Sequence, residues 1–146
     1  MIVRLATESD LPAILDMGAK FHAFSGESVP YCRQSAESSA RSIMVMGFVL
    51  VAEDGGKLVG MLGVLVAPLF FNFAHTMAQE LMWWVDEDER GSGAALRLIR
   101  AAEAEAKTRG ACRIHMLRLA ASPEHVGRLY DRLGYRTGEV AHVKEL

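Results

Sequence analysis

The sequence predicts a mixed α/β fold in which helices flank a single sheet. Three observations indicate this class. About half of the 146 residues are apolar (51%), which is enough to bury one core. Short apolar strands alternate with longer segments of helical periodicity, and turn residues separate most of them. The predicted order is β-α-α-β-β-β-α-β-α-β, in one domain over residues 1–146.

Capping and turn residues set the predicted boundaries of these elements. Thr7 stands three positions before an acid, which is close to a capping box, and Gly110 is typical of a helix end. Asp54-Gly55-Gly56 is typical of a tight hairpin turn. The predicted strands are 2–5, 48–53, 57–66, 76–85, 112–119 and 135–143. The predicted helices are 8–18, 35–46, 93–108 and a last one that begins near Pro123 and stops at Gly134, with aromatic loops at 20–35 and 69–73.

Composition excludes several classes of function. A net charge of −2 gives no positive field for a nucleic-acid backbone, so we expect no nucleic-acid partner. No basic leader or long apolar run is present, so we expect a cytoplasmic protein with no membrane partner. Cys32 and Cys112 are too few for a disulfide framework and are expected to be reduced, buried thiols. The histidine and cysteine spacing predicts no metal site.

The stretch from Arg90 to Ala95 joins a predicted strand to a helix through glycines. Unpaired N–H groups at a helix start point outward and carry the positive end of the helix dipole, so they can receive phosphate oxygens. Gly91 and Gly93 would let such a ligand approach closely. A Walker loop is disfavoured because no Gly-Lys-Ser/Thr ending is present, and a dinucleotide fingerprint lacks its third glycine at Leu96. A plain strand-to-helix turn remains the alternative for the glycines alone.

Two motifs together carry a family resemblance. Arg90-Gly91-Ser92-Gly93-Ala94-Ala95 resembles the Arg/Gln-x-x-Gly-x-Gly/Ala signature of the GCN5-related N-acetyltransferase (GNAT) family. Downstream, the stretch from Leu129 to Tyr135 resembles the family's Tyr-x-x-x-Gly-Phe/Tyr motif. The resemblance covers nearly the whole chain. It implies a GNAT-like acyl-CoA N-acyltransferase fold whose central strands splay apart.

The resemblance also implies a co-substrate and a reaction. Acetyl-CoA would donate its acetyl group to a primary amine, which attacks directly in a ternary complex. The pantetheine arm would pair with main-chain groups at the end of the predicted strand 76–85. The pyrophosphate would lie on the glycine-rich turn that follows it. The cofactor-binding residues are then Trp83, Trp84, Val85, Arg90, Gly91, Ser92, Gly93, Ala94 and Ala95. Two alternatives stay open: a non-catalytic acyl-CoA-binding or regulatory protein, and an acyltransferase that uses a longer acyl-CoA.

Acetyl transfer needs a base for the amine and an acid for the departing sulfur. By its place in the second motif, Tyr130 matches the family's general acid; alternatively it closes the pocket or hydrogen-bonds the coenzyme. Glu80 lies where some family members carry a glutamate that faces the acceptor, so it is the expected base, or else an exposed carboxylate that attracts the ammonium group. His75 or water is the reserve candidate.

An aromatic rim is expected to receive the acceptor, because the family binds it over the first two helices and the hairpin loops. Phe21, Phe24, Tyr31 and Phe71 form this predicted substrate site, which suits an apolar or aromatic amine. The same side chains could instead pack into the core or form a homodimer contact. Small-molecule amines and peptides both remain open as acceptors.

Overall fold

The fold is a five-stranded mixed sheet with helices on both faces. The computed structural model describes all 146 residues. Its strands are β1 (Ile2–Leu5), β2 (Gly47–Asp54), β3 (Lys57–Leu69), β4 (Asn72–Val85) and β5 (Ala111–His115). Its helices are α1 (Leu11–Ser25), α2 (Arg33–Met46), α3 (Ala94–Thr108) and α4 (Glu124–Arg132). Short 3-10 turns precede α1 at Glu8–Asp10 and follow β4 at Glu87–Glu89. The predicted mixed α/β class is confirmed.

The strands lie in chain order, β1-β2-β3-β4-β5. The first four pair antiparallel, and β4 pairs with β5 in parallel, so α3 is the crossover between them. Side chains of β2 alternate between two cores, as the pleat requires. Phe48 and Leu50 face the core that contains α3, whereas Val49 and Val51 face the core that contains α1 and α2. The sheet is therefore covered on both faces.

Several boundaries differ from the predicted ones. The helix α1 runs to Ser25 instead of residue 18, because Phe21 and Phe24 continue its apolar face past Gly18, and Gly26 ends it in a left-handed conformation (φ 76°). The strands β3 and β4 extend to a tight turn at Phe70-Phe71, where a longer loop was expected. Cys32 and Cys112 are exposed, so their predicted burial is wrong.

The predicted last strand, 135–143, is absent. Residues 136–146 form no helix or strand, and every one of them is exposed. Charged and polar side chains such as Arg136, Glu139 and Lys144 dominate this segment, and Val140 and Val143 offer little apolar area to offset the entropy of ordering the chain. The sheet accordingly ends at β5. None of the helices combines the length and the apolar character needed to cross a membrane.

Candidate active site

The pairing between β4 and β5 ends halfway along β4, and the two strands separate from there. Their pairing covers Thr76 with Ala111, Ala78 with Ile114 and Gln79 with His115, and no pair follows. On the other side of β4, Val64 of β3 opposes Glu80 while Gly63 opposes Met82, which leaves Leu81 as the extra residue of a β-bulge. A bulge bends its strand and increases the local twist. The splayed central strands that the family resemblance implies are thus present.

A cavity of about 210 Å³ opens in this split. Its walls come from α1, from β4 and the loop that follows it, from the start of α3, and from the segment that runs from β5 into α4. The lining residues are Phe21, Phe24, Glu80, Leu81, Trp83, Trp84, Val85, Arg90, Ala95, Leu117, Leu119, Ser122, Pro123, His125 and Val126.

The glycine-rich turn lies at one end of the cavity and opens the fifteen-residue helix α3. Gly91 (φ 108°) and Gly93 (φ 87°) adopt the left-handed region that side chains disfavour. The N–H groups of Gly91, Gly93, Ala95 and Leu96 make no hydrogen bond within the protein, whereas Ala94 N–H donates to Ser92 Oγ at 3.3 Å. Four free donors therefore stand where the helix dipole is positive, a ready site for an anion.

Two buried side chains, Glu80 and Tyr130, make hydrogen bonds to the main chain of Leu117, which lies beyond the end of β5. The carboxylate of Glu80, only 4% exposed, accepts a hydrogen bond from Leu117 N–H at 2.8 Å. Tyr130, 8% exposed, donates its hydroxyl to the carbonyl oxygen of Leu117 at 3.0 Å. Burial raises the pKa of Glu80 to about 7, and the bond from Leu117 opposes that rise. Burial, with a smaller contribution from the Glu80 charge, raises the pKa of Tyr130, so its phenol stays protonated.

Most of the sequence matches a known protein family. The profile of the acetyltransferase (GNAT) family aligns with residues 19–135, which contain the bulged strand, the glycine-rich turn and the second motif. The chain belongs to this family. It is therefore an acetyltransferase, and the family expected from the two motifs is confirmed. A search of curated protein sequences finds no significant match.

Solved structures share the fold of this GNAT acetyltransferase at low sequence identity. A ribosomal-protein-alanine N-acetyltransferase from Brucella melitensis biovar Abortus 2308 is 18% identical over the whole of both chains, with a TM-score of 0.78. An aminoglycoside antibiotic 6'-N-acetyltransferase from Acinetobacter haemolyticus is 18% identical over 100% of this chain and 99% of its own, with a TM-score of 0.74. A transcriptional regulator from Bacillus halodurans C-125 is 22% identical over 99% of each chain, with a TM-score of 0.76. Likeness at these identities establishes the fold alone.

Arg90 of this acetyltransferase lies against the aromatic wall of the cavity. Its guanidinium is 4.9 Å from the ring centroid of Trp84 and 5.8 Å from that of Phe24, within the range of cation–π attraction. Arg90 Nε also donates to the carbonyl oxygen of Val85 at 3.4 Å. The side chain therefore brings a positive charge to the same end of the cavity as the free N–H groups of α3.

Asp86 supports the wall of the cavity that contains Trp84, on the side away from the cavity. It is buried and accepts hydrogen bonds from Trp84 Nε1 at 3.0 Å and from Lys20 Nζ of α1 at 2.7 Å. Burial alone would raise the pKa of Asp86, but the bonds from Lys20 and Trp84 lower it below its usual value. Its charge is thus neutralised locally instead of opposing an anion at the glycine-rich turn.

The structure brings most, but not all, of the predicted site residues together. Phe21, Phe24, Glu80, Trp83, Trp84, Val85, Arg90 and Ala95 line the cavity, and Gly91, Ser92, Gly93 and Ala94 form the turn beside it. Tyr130 stands behind the wall, where its ring centroid is 6.1 Å from that of Trp83. Tyr31 is not brought to the cavity, because its hydroxyl donates to the carbonyl oxygen of Leu15. Phe71, 96% exposed, lies on the distant tip of the β3–β4 hairpin.

Sequence reasoning missed the wall contributed by the second half of the chain. The missed lining residues are Leu81, Leu117, Leu119, Ser122, Pro123, His125 and Val126. Pro123 did predict a helix start, but only the separation of β4 from β5 shows that this start borders the cavity. His75, the reserve base, is exposed on β4 and does not line the cavity. No group of three or more His, Cys, Asp or Glu side chains is arranged to hold a metal ion.

Proposed function

We propose that this enzyme transfers the acetyl group of acetyl-CoA to a primary amine, with both substrates bound at once. GNAT acetyltransferases use acetyl-CoA as their co-substrate, and acetyl-CoA supplies an activated thioester. The observation that carries the proposal is the set of four unpaired N–H groups at the start of α3, beside a cavity in the split sheet.

The pyrophosphate would bind the N–H groups of Gly91, Gly93, Ala95 and Leu96. These donors are geometrically free, and the partners that most often satisfy such groups in proteins are anionic oxygens. Beyond Gln79 the outer edge of β4 has no strand partner, so main-chain groups of Trp83 and Val85, which alternate with those of Trp84 that face β3, can pair with the amide groups of pantetheine. The residues present therefore fit acetyl-CoA.

The two catalytic groups that we propose are Glu80 and Tyr130. Glu80 lines the cavity, and a carboxyl group with a pKa of about 7 can accept the proton of an ammonium group near neutral pH, directly or through water. Tyr130 retains its phenolic proton and donates it in a hydrogen bond to the Leu117 carbonyl oxygen beside the cavity. We propose that the O–H bond turns from that oxygen toward the departing thiolate, which then takes the proton, while the Leu117 bond is given up.

The acceptor side of the cavity favours an amine with an apolar or aromatic body. Phe21, Phe24 and Leu81 supply apolar surface there, and Glu80 is the only carboxylate among the lining residues. The aminoglycoside and ribosomal-protein-alanine activities of the structural neighbours belong to those proteins. For this enzyme we propose a small-molecule amine or a peptide with an apolar end, acetylated in the cytoplasm.

Calorimetry with acetyl-CoA, followed by a thiol-release assay over several classes of amine, tests the proposal. We expect saturable binding of one acetyl-CoA per chain, and release of CoA only when an acceptor is added. Aromatic and apolar amines should support faster release than aminoglycosides or polyamines. If neither acetyl-CoA nor CoA binds, the proposal is wrong; binding without release across all amine classes would reduce it to acyl-CoA binding alone.

A further inference from the structure

Leu117 has two main-chain groups that a strand would normally pair. The strand β5 ends at His115, and its pairing with β4 ends at Gln79. The N–H and C=O groups of Leu117 therefore have no strand partner. Leu117 itself is 51% exposed, yet both groups have substitutes for a strand partner within the protein.

Side chains from two different elements supply these substitutes. Glu80 of β4 accepts from the N–H group at 2.8 Å, and Tyr130 of α4 donates to the C=O group at 3.0 Å. One residue of the chain thus connects a buried carboxylate to a buried phenol. Glu80 and Leu117 both line the cavity, and Tyr130 stands behind it.

We propose that Glu80 is a positioning residue for Tyr130: by holding the N–H group of Leu117, it fixes the carbonyl oxygen that keeps the Tyr130 hydroxyl beside the cavity until its proton turns to the sulfur. This role is separate from proton transfer by Glu80, and it rests on the proposed function of Tyr130 as a proton donor. The bond from Leu117 to a carboxylate is charge-assisted, and such bonds are stronger than neutral ones. When the carboxylate is lost, Leu117 is free to move with the segment after β5, and the Tyr130 hydroxyl moves with it.

Two substitutions of Glu80 separate positioning from proton transfer. Glu80→Gln removes the base but keeps an oxygen that can accept from Leu117 N–H, whereas Glu80→Ala removes both. We expect the kcat of Glu80→Gln to exceed that of Glu80→Ala by about tenfold, the effect of one lost hydrogen bond. The KM for acetyl-CoA should stay within about twofold of that of the unmodified enzyme in both variants. This tenfold ratio is the positioning effect.

A Tyr130→Phe background completes the kinetic test. Without the hydroxyl there is nothing for Leu117 to orient. In this background the kcat of Glu80→Gln divided by that of Glu80→Ala should therefore fall to about one. A ratio of about one in the enzyme that retains Tyr130, or a tenfold ratio that persists in Tyr130→Phe, would overturn the proposal.

Amide hydrogen exchange at Leu117 gives a readout that needs neither substrate nor activity. In the full-length protein, Tyr130→Phe should raise the exchange rate of the Leu117 N–H group at least about threefold, because the two bonds support each other across one residue. Unchanged protection in Tyr130→Phe overturns the proposal even if Glu80→Ala does not fold. If acetyl-CoA does not bind at all, the proposed function fails while this exchange result still decides the coupling.

Discussion

Asp86 accepts a hydrogen bond from the indole nitrogen of Trp84, two residues before it, at 3.0 Å. The same carboxylate oxygen accepts from Lys20 Nζ at 2.7 Å. Trp84 in turn makes an edge contact with Phe24 at 6.0 Å between ring centroids and carries the guanidinium of Arg90 over its face. A single buried carboxylate therefore connects α1 to the aromatic wall of the cavity.

Replacing Asp86 by alanine should loosen this wall. The change leaves the Trp84 N–H group and Lys20 without their acceptor, so we expect the free energy of unfolding to fall by about 1–3 kcal/mol. Acetyl-CoA binding should weaken several-fold, because Trp84 and Arg90 lose their fixed orientation. Urea unfolding followed by tryptophan fluorescence, together with calorimetry, would measure both effects. Asp88→Ala, an exposed acid on the same turn, is the matched control and should change stability by less than about 0.5 kcal/mol.

The anion site at the start of α3 can be tested with two equivalent glycines. Gly93 (φ 87°) and Gly110 (φ 81°) flank α3 at opposite ends, and a Cβ added to either would meet no atom within 4 Å. Gly93→Glu and Gly110→Glu therefore add the same charge and a similar strain, of about 1–2 kcal/mol. We expect only Gly93→Glu to weaken acetyl-CoA binding, by about tenfold or more, because its carboxylate would stand among the free N–H groups. Equal weakening in both variants, measured by calorimetry, would argue against a pyrophosphate site there.

The features that the sequence predicted well are those with local signals. The glycine-rich turn, the hairpin at Asp54–Lys57 and the apolar face of α3 each lie within about fifteen consecutive residues, and each has a periodic or conformational reason that needs no distant partner. The family resemblance of two such motifs then implied the splayed strands, which periodicity alone does not reveal.

The features that the sequence missed depend on distant contacts. Asp86 is buried because Lys20, 66 positions away, neutralises it, and no pattern near Asp86 in the sequence indicates that contact. Leu117 reaches the cavity only because the parallel pairing stops at Gln79. The segment from Tyr135 to Val143 is predicted as a strand, but Val140 and Val143 are three residues apart, so they could not share one face of it, and too few apolar neighbours accompany them for the segment to be buried.

Asp10 anchors β1 to the start of α1, and its removal should destabilise the fold without touching the cavity. It accepts hydrogen bonds from Arg4 Nη1 at 2.7 Å, from Arg4 Nη2 at 2.9 Å and from Thr7 N–H at 2.7 Å. Arg4, the main cause, and Thr7 hold the pKa of Asp10 well below its ordinary value, while burial opposes them. We expect Asp10→Asn to lower the free energy of unfolding by about 2 kcal/mol at neutral pH.

The pH dependence of the Asp10 effect follows from the direction of the pKa shift. A depressed pKa in the folded state adds stability that is complete above the unfolded value of 3.8 and disappears as pH falls through the folded value. The difference between the original protein and Asp10→Asn should therefore shrink below about pH 4. Asp16→Asn, which breaks an exposed ion pair with Arg33, is the control and should cost at most about 1 kcal/mol. If the difference in thermal stability between the original protein and Asp10→Asn did not change with pH, the lowered pKa of Asp10 would be contradicted.

Glu80 should have the opposite pH dependence, because burial raises its pKa from 4.5 to about 7 in the folded state. Between these values the unfolded chain has released the proton while the folded protein still binds it, so rising pH favours unfolding. Relative to Glu80→Gln, the original protein should lose about 3 kcal/mol of stability as pH rises through this window, and no more above it. Urea unfolding at a series of pH values measures the difference, and Glu139→Gln in the exposed C-terminal segment is the control. Parallel curves for the original protein and Glu80→Gln would mean that Glu80 is ionised in the folded state throughout. Such a carboxylate would be too weak a base near neutral pH for the role proposed here.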